Sequence, residues 1–485
     1  HKLNALALYE WQQQSYQGNY GQARGFFNNE TTYNSLQSGD LSDVRSGDIS
    51  SYKNDRSLVS FLGRLNYTLK DKYLLTLSYR RDGSSVFGEN NKWGNFPAAS
   101  VAWRIDEEDF MQDGIFNQLK LRAGYGITGN QQGLIPQQSL SLVSPGGITY
   151  FGGEQIRNFE ISQNSNEDLK WERKKQTNIG IDFSLIDSRL SGSLDAYTAT
   201  TDDLLFNYTV PQPPFPYNTV AANVGSIRNR GVELALNYDI IRNNDVTLSL
   251  GGNMSLLDNE VLNLSGSIEG VELNTDFVPW GTNSYLIEGQ PVGTYSILQH
   301  EGIDGVGAEV VRDINGDGTI DQGVRSPDRQ IQGSALPTYN FAINPRFRYK
   351  DFDFSMLWRG SGGNKIYNGL RRNLSLMESL GNANVLESAV DLDLFTSQYS
   401  SNLWLEDGDF VRLENVNAGY NWQLDTFKYI ESVRFSITGN NLLLITDYSG
   451  IDPEINFSGG NGFGGDFGIY PRTTSVALGL QVTFK

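Results

Sequence analysis

Ser475-Val476-Ala477-Leu478-Gly479-Leu480-Gln481-Val482-Thr483-Phe484 alternates residue by residue. Val476, Leu478, Leu480, Val482 and Phe484 fall on one face, and Ser475, Ala477, Gly479, Gln481 and Thr483 on the other. A period of two with one purely apolar face predicts a β-strand with one greasy side. Upstream, Val59, Phe61, Leu65, Tyr67 and Leu69 oppose Ser60, Arg64, Asn66 and Thr68, and Tyr73, Leu75, Leu77 and Tyr79 oppose Thr76, Ser78 and Arg80. Thr177, Ile179, Ile181, Phe183 and Leu185 oppose Asn178, Gly180, Asp182 and Ser184, and Val433, Phe435 and Ile437 oppose Arg434, Ser436 and Thr438.

About fourteen such strands of roughly 8–12 residues are expected, the length that crosses a bilayer when tilted. They lie near 2–12, 57–69, 73–81, 95–105, 118–127, 174–186, 189–198, 227–239, 245–253, 338–349, 351–360, 409–420, 431–440 and 474–484, with a further strand near 291–298 inside a loop. The connections between them alternate. Short ones, such as Lys70-Asp71-Lys72 and Lys350-Asp351, are followed by long ones at 13–56, 82–94, 128–173, 199–226, 254–337, 361–408 and 441–473. An up-and-down transmembrane barrel with short turns on one side and long loops on the other has this pattern. A soluble propeller or sandwich also alternates, but does not sort its connections by length. Fourteen strands either close on themselves or belong to a larger barrel. Because the chain opens directly inside a strand at His1 to Leu6, we expect further strands ahead of it.

Aromatic residues fit the membrane reading. Tyr9, Trp11, Tyr67, Tyr73, Tyr79, Trp103, Tyr125, Tyr238, Tyr349, Trp358, Tyr420 and Phe484 fall near strand ends on the apolar face, where interfacial girdles lie. Hydrophobic residues are only 38% of the chain and the mean hydropathy is −0.40, as expected if every second strand residue meets lipid. There is no apolar run long enough for a transmembrane helix, which needs about 18 residues. The absence of cysteine excludes disulfides and thiolate metal sites. A net charge of −18 argues against a nucleic-acid partner.

Catalytic groups are sparse. The two histidines, His1 and His300, make a triad or a histidine-based zinc site improbable. Asp106-Glu107-Glu108-Asp109 reads as a solvated turn, His300 as an ordinary loop residue, and Pro211 to Tyr217 as a stiff, extended loop segment. Gly460, Gly462 and Gly465 satisfy a dinucleotide-binding spacing without its strand-to-helix context, so a glycine-rich surface loop is expected. The sharpest local motif lies in the long loop 254–337, at Asp313-Ile314-Asn315-Gly316-Asp317-Gly318-Thr319-Ile320-Asp321. Oxygen-bearing residues at positions 1, 3, 5, 7 and 9, with glycine after the third, match the start of a calcium loop. Val324 stands at the twelfth position, where an acidic ligand belongs, and Asp328 follows it. The candidate Ca²⁺ ligands are therefore Asp313, Asn315, Asp317, Thr319, Asp321 and Asp328 over 313–328. Arg64, Arg80, Arg104, Arg122, Arg346, Arg348, Arg359 and Arg434 fall on polar faces, hence inside a barrel; because a wide empty lumen would leak, they are expected to meet the carboxylates of a segment that plugs it rather than only solvate the lumen and form ion pairs within the wall.

Several segments resemble the SusC-like family of TonB-dependent outer-membrane transporters, in family order and over nearly the whole chain. They are Tyr79 to Gly88 (YRRDGSSVFG), Trp93 to Arg104 (WGNFPAASVAWR), Leu121 to Gln131 (LRAGYGITGNQ), Asp168 to Gly180 (DLKWERKKQTNIG), Asn223 to Glu233 (NVGSIRNRGVE), Asp313 to Asp321, Gly333 to Pro337 (GSALP), Trp404 to Leu413 (WLEDGDFVRL), Gly439 to Leu443 (GNNLL) and Tyr470-Pro471-Arg472. The resemblance implies an all-β fold, a plugged transmembrane antiparallel barrel of about 22 strands, with residues 1–485 forming its C-terminal part and the plug and first strands lying outside it. In this family the calcium loop's last acidic ligand is an aspartate before arginine, which here is Asp328. The resemblance further implies import of a glycan or peptide across the outer membrane of a Bacteroidetes-type bacterium. A SusD-like surface lipoprotein would act as lid, TonB with ExbB and ExbD would act through the plug, and two transporter–lipoprotein pairs can associate. No enzyme activity is expected. The alternatives are a passive diffusion porin and a surface-binding or adhesion barrel. The residues that touch substrate are not identified by sequence.

Overall fold

The computed structural model describes all residues except 31, 46, 112–113, 269, 274–276, 280, 282, 425 and 456–463, with the backbone alone at 32 and 277–279. Fourteen antiparallel strands form one sheet in chain order. They are β1 (Lys2–Gly21), β2 (Ile49–Leu69), β3 (Tyr73–Ser84), β4 (Trp93–Arg104), β5 (Phe116–Asn130), β6 (Glu172–Leu185), β7 (Leu190–Asp202), β8 (Ser226–Arg242), β9 (Val246–Asn263), β10 (Tyr339–Tyr349), β11 (Phe352–Gly362), β12 (Phe410–Gln423), β13 (Ile430–Thr446) and β14 (Ser475–Phe484). Each strand expected from the alternation is present. The sheet is open, β1 and β14 each pairing on one side only.

Register turns separate alternating segments into a two-faced wall. Leu480 pairs with Phe435, Phe435 with Tyr420, Tyr420 with Phe352, Phe352 with Tyr349, and Tyr349 with Val246. One apolar row therefore crosses six strands. The neighbouring row is polar: Gln481 pairs with Arg434 and Arg434 with Asn421. A slip of one residue in any pair would put arginine among the leucines, so the pattern itself enforces the register.

Several strands run further than the alternation indicated. β1 and β2 stay paired from Gln13 and Ser57 out to Gly21 and Ile49. The ladder needs only main-chain partners, whereas alternation needs one face to be apolar, so pairing outlasts pattern once both faces are wet. Tyr9 and Trp11 consequently lie inside β1 and not at its end. On the outward face the boundary of the apolar band is marked by ion pairs: Lys175 to Asp202 at 2.8 Å, and Arg230 to Asp258.

The long connections all leave one edge of the wall and the turns the other. The length rule nevertheless breaks once, since 85–92 on the loop side is shorter than 105–115 on the turn side, where Ile105–Glu107 and Asp109–Met111 form 3-10 turns. Tightly packed apolar clusters occupy the long connections and the strand ends that feed them. One joins Tyr295, Ile297, Tyr367, Leu394 and Trp404, and another joins Phe87, Phe96, Leu169 and Trp171. Only one extra strand, near 291–298, was expected there. The loops contain it, at Thr294–Leu298, together with other short strands. Pro211 to Tyr217 is a turn and not an extended segment, because Phe215 is drawn into a cluster with Tyr208 and Val220.

Candidate functional site

The lumen-facing row is built from paired charges. Arg122 on β5 grips Asp182 on β6 at 2.8 and 2.9 Å and reaches Asp195 on β7 at 3.0 Å. Arg434 on β13 makes a two-point contact with Asp353 on β11 at 2.6 and 2.9 Å. Arg80 bonds Asp82 and Ser60 at 2.8 Å, and Arg104 bonds Asp106 at 3.0 Å. Arg359 contacts Glu414 at 2.6 Å and Glu454 through both terminal nitrogens. Planar guanidinium forks that meet a carboxylate at two points, as Arg122, Arg359 and Arg434 do, hold their geometry better than single-point pairs. For these five arginines the chain itself supplies carboxylate partners. Arg346 donates to Asn344 at 2.5 Å. Among the described residues, Arg64 and Arg348 have no carboxylate partner.

At the loop end the row opens into a cavity of about 790 Å³ lined by Asn253, Asn340, Arg359, Glu454, Tyr470 and Arg472, among others. From the connection between β13 and β14, Pro453, Glu454 and Ile455 line it before the undescribed residues and Ile469, Tyr470 and Arg472 after them. Arg412 on β12 is fully buried and donates to Asp452 at 2.7 Å and to Asn441 at 2.5 Å, while Arg472 lies 3.3 Å from Glu454. Phe341, Phe410, Ile366 and Ile455 line it as well, so apolar walls with a few amides and charges of both signs suit a ligand that offers hydroxyl or amide groups beside apolar faces.

The residues 313–328 do come together, as a turn closed by Asp328. That carboxylate is buried and accepts the main-chain N–H of Ile314 and of Asp321, each at 2.9 Å. Asp313 accepts from the N–H of Gly316 and Gly318, and Asn315 from that of Asp317. Thr319 donates to Asp317 through N–H and hydroxyl, which holds the Asp317 carboxyl below its ordinary range. Asp321 accepts from Gly323 at 2.7 Å. Gly316 and Gly318 adopt positive φ, as the tight turn requires. Among the described residues, no three acidic or imidazole side chains converge as a metal cluster. Gly460 and Gly462 lie outside the described residues.

Two features escaped the sequence reading. Glu108 is more than part of a solvated charge run. It accepts from Tyr73 Oη at 2.6 Å, Trp103 Nε1 at 3.0 Å and Lys72 Nζ at 3.1 Å, and these bonds hold its carboxyl down at about 2. Tyr73 and Trp103 stack at 6.4 Å, so the turn anchors the girdle on that side. The only hint in sequence was an acidic residue five places after a girdle tryptophan. His300 is likewise more than an ordinary loop residue. Its Nδ1 lies 3.0 Å from buried Glu309, which also accepts from Ser397 and Ser401. Segments this far apart give no joint signal in sequence.

Comparison with known proteins agrees with this architecture. The model of the family described as TonB dependent receptor-like, beta-barrel matches residues 3–442. TonB-dependent receptor P3 of Formosa agariphila is 32% identical over 530 residues, covering all of this chain and 51% of the relative. TonB-dependent receptor SusC of Bacteroides thetaiotaomicron is 32% identical over 472 residues, covering 91% of this chain and 45% of the relative. The chain thus spans about half the length of the curated relatives it matches. Among solved structures, the RagAB peptide importer in the open-open state superposes with a TM-score of 0.84 at 23% identity, over 99% of this chain and 52% of the other, which is a likeness of fold. These relatives are receptors and not enzymes, and with the matched barrel model and the two-faced sheet they make the chain a member of the TonB-dependent receptor-like β-barrel family.

Proposed function

We propose that this chain is the wall of an outer-membrane importer that takes up a large nutrient, a glycan or a peptide, using energy from TonB, ExbB and ExbD, with a SusD-like lipoprotein over its loop side. The observation that carries the reading is the register. Over the apolar band, rows of Leu, Val, Phe and Tyr share one face and rows of Arg, Asp and Asn the other. Such a sheet suits hydrocarbon outside and a hydrated path inside. On this reading Arg64, Arg346 and Arg348, which have no carboxylate partner among the described residues, face carboxylates of a plug. The outer cavity receives the leading end of the ligand.

Deleting the gene in its own host and supplying the complete protein back tests the proposal. Uptake of one labelled polymer should disappear and return, and should depend on TonB. An unaltered uptake profile would favour adhesion. Steady conductance of the complete protein in a planar bilayer, with no lipoprotein and no TonB, would favour a passive porin.

We further propose that 313–328 binds Ca²⁺. The reading is supported by the alternating oxygen groups and by Asp328 already closing the turn. An ion there would share the Asp317 and Asp321 carboxylates with the donors of Thr319 and Gly323. Titration calorimetry with CaCl₂ should show heat that Asp317→Ala abolishes; no heat in the parent protein would end the idea.

A further inference from the structure

The outward wall over β1 to β5 carries a hollow that the import path does not use. Ala7 pairs with Gly63, Gly63 with Tyr79, and Tyr79 with Pro97. The result is an apolar groove of about 540 Å³, walled by Leu65, Leu77, Tyr79 and Tyr125 and floored at Gly63, Pro97 and Ala99. A Cβ built on Gly63 meets nothing within 4 Å, so the hollow is open to the outside.

Two residues along β3 from Tyr79, on the same face and toward the loop side, stands Arg81, between Phe61 and Asn95. Its guanidinium lies 5.0 Å from the centre of the Trp93 ring. Trp93 stacks on Phe61 at 6.2 Å, and Phe61 lies 5.3 Å from Tyr9. Among the described residues no carboxylate pairs with Arg81. On the loop side, three other outward cations at the edge of the apolar band are neutralised: Arg173 by Asp203 at 3.0 Å, Lys175 by Asp202 at 2.8 Å, and Arg230 by Asp258. A guanidinium cushioned on an aromatic girdle, without a protein counter-ion and in line with an apolar hollow, complements an amphiphile with an anionic head.

We propose that this is a lipid site, with an acyl chain in the Gly63 hollow and a phosphate on Arg81. The occupant is a phosphorylated, multiply acylated glycolipid of the outer leaflet. Height decides the source, because Arg81 lies at the loop end of β3 and the turn 70–72 at the other. The inference rests on the outward face meeting hydrocarbon, and not on what is imported.

Native mass spectrometry of the complete receptor, extracted from its own outer membrane in mild detergent, tests it. The parent protein should retain the phosphorylated glycolipid. Arg81→Ala and Gly63→Trp should each lower retention about tenfold, Arg81→Lys should keep most of it, and Arg230→Ala should change nothing. Both altered positions point outward from an intact ladder, and heat-modifiable gel mobility checks that the barrel forms. The site is overturned if the parent carries no such lipid, if Arg81→Ala and Gly63→Trp retain as much as the parent, if the bound species is a glycerophospholipid, or if Gly63→Trp only dissociates a dimer. Protein that stays dispersed without detergent would instead sink the membrane reading itself. Detergent-dependent protein free of lipid sinks this inference alone.

Discussion

Arg412, with its side chain 1% exposed, meets Asp452, 4% exposed, at 2.7 Å, across a connection that leaves β13 and returns over the barrel mouth. Arg412 Nε also lies 3.2 Å from Glu454, although its N–H is not aimed there. A buried pair contributes less by existing than its loss of one partner costs, because the remaining charge stays desolvated. Asp452→Ala should therefore destabilise the mouth by about 3–5 kcal/mol. The predicted readout is new protease cleavage within 447–455 while the strands stay protected. The double variant Arg412→Met, Asp452→Leu should lose much less, and equal cleavage in both would refute the argument.

Glu108 makes the turn between β4 and β5 sensitive to acid. Its donors Tyr73, Trp103 and Lys72 hold the folded carboxyl at about 2, below the ordinary value of 4.5. A depressed carboxyl stabilises the folded state above its unfolded pKa, and that contribution fades as pH falls from about 4.5 towards 2. Measured between pH 5 and 2.5, roughly, the parent protein should lose stability more steeply than Glu108→Gln. Parallel curves would show that these bonds carry no linkage.

The two faces of the wall should respond differently to charge. Val101 on β4 pairs with Leu75 and Ala123 on the apolar side, while Ser100 pairs with Thr76 and Gly124 on the other. Val101→Arg should cost about 2–4 kcal/mol near the middle of the bilayer, and Ser100→Arg clearly less. Urea unfolding of the complete protein from lipid vesicles measures both, and similar penalties would argue against hydrocarbon on the Val101 side.

Asp328→Ala removes the acceptor shared by the Ile314 and Asp321 amides. Leaving such donors without a partner costs about 1–3 kcal/mol each when they are buried. Hydrogen exchange at these two amides should accelerate, with those of β10 unchanged; acceleration throughout the sheet would mean that the turn supports the whole wall.

The strand order, the identity of the apolar face and the placement of the arginines on the other were all legible in the sequence, because alternation at period two records which side of a strand meets which medium. Sequence reading also located the oxygen-rich turn at 313–328, and the family segments along the chain. It ended β1 too early and began β2 too late, where wetting on both sides removes the pattern while pairing persists. It did not show which arginines find carboxylates within this chain, from Asp82 on the same strand as Arg80 to Asp353 two strands from Arg434. Which carboxylate meets which arginine, the meeting of Asp452, Glu454 and Arg472 at the mouth, the triple contact at Glu108 and the alignment of Arg81 with the Gly63 hollow were decided only by tertiary structure. Those contacts join residues tens of positions apart through register and curvature, and a local period carries no information about its distant neighbours.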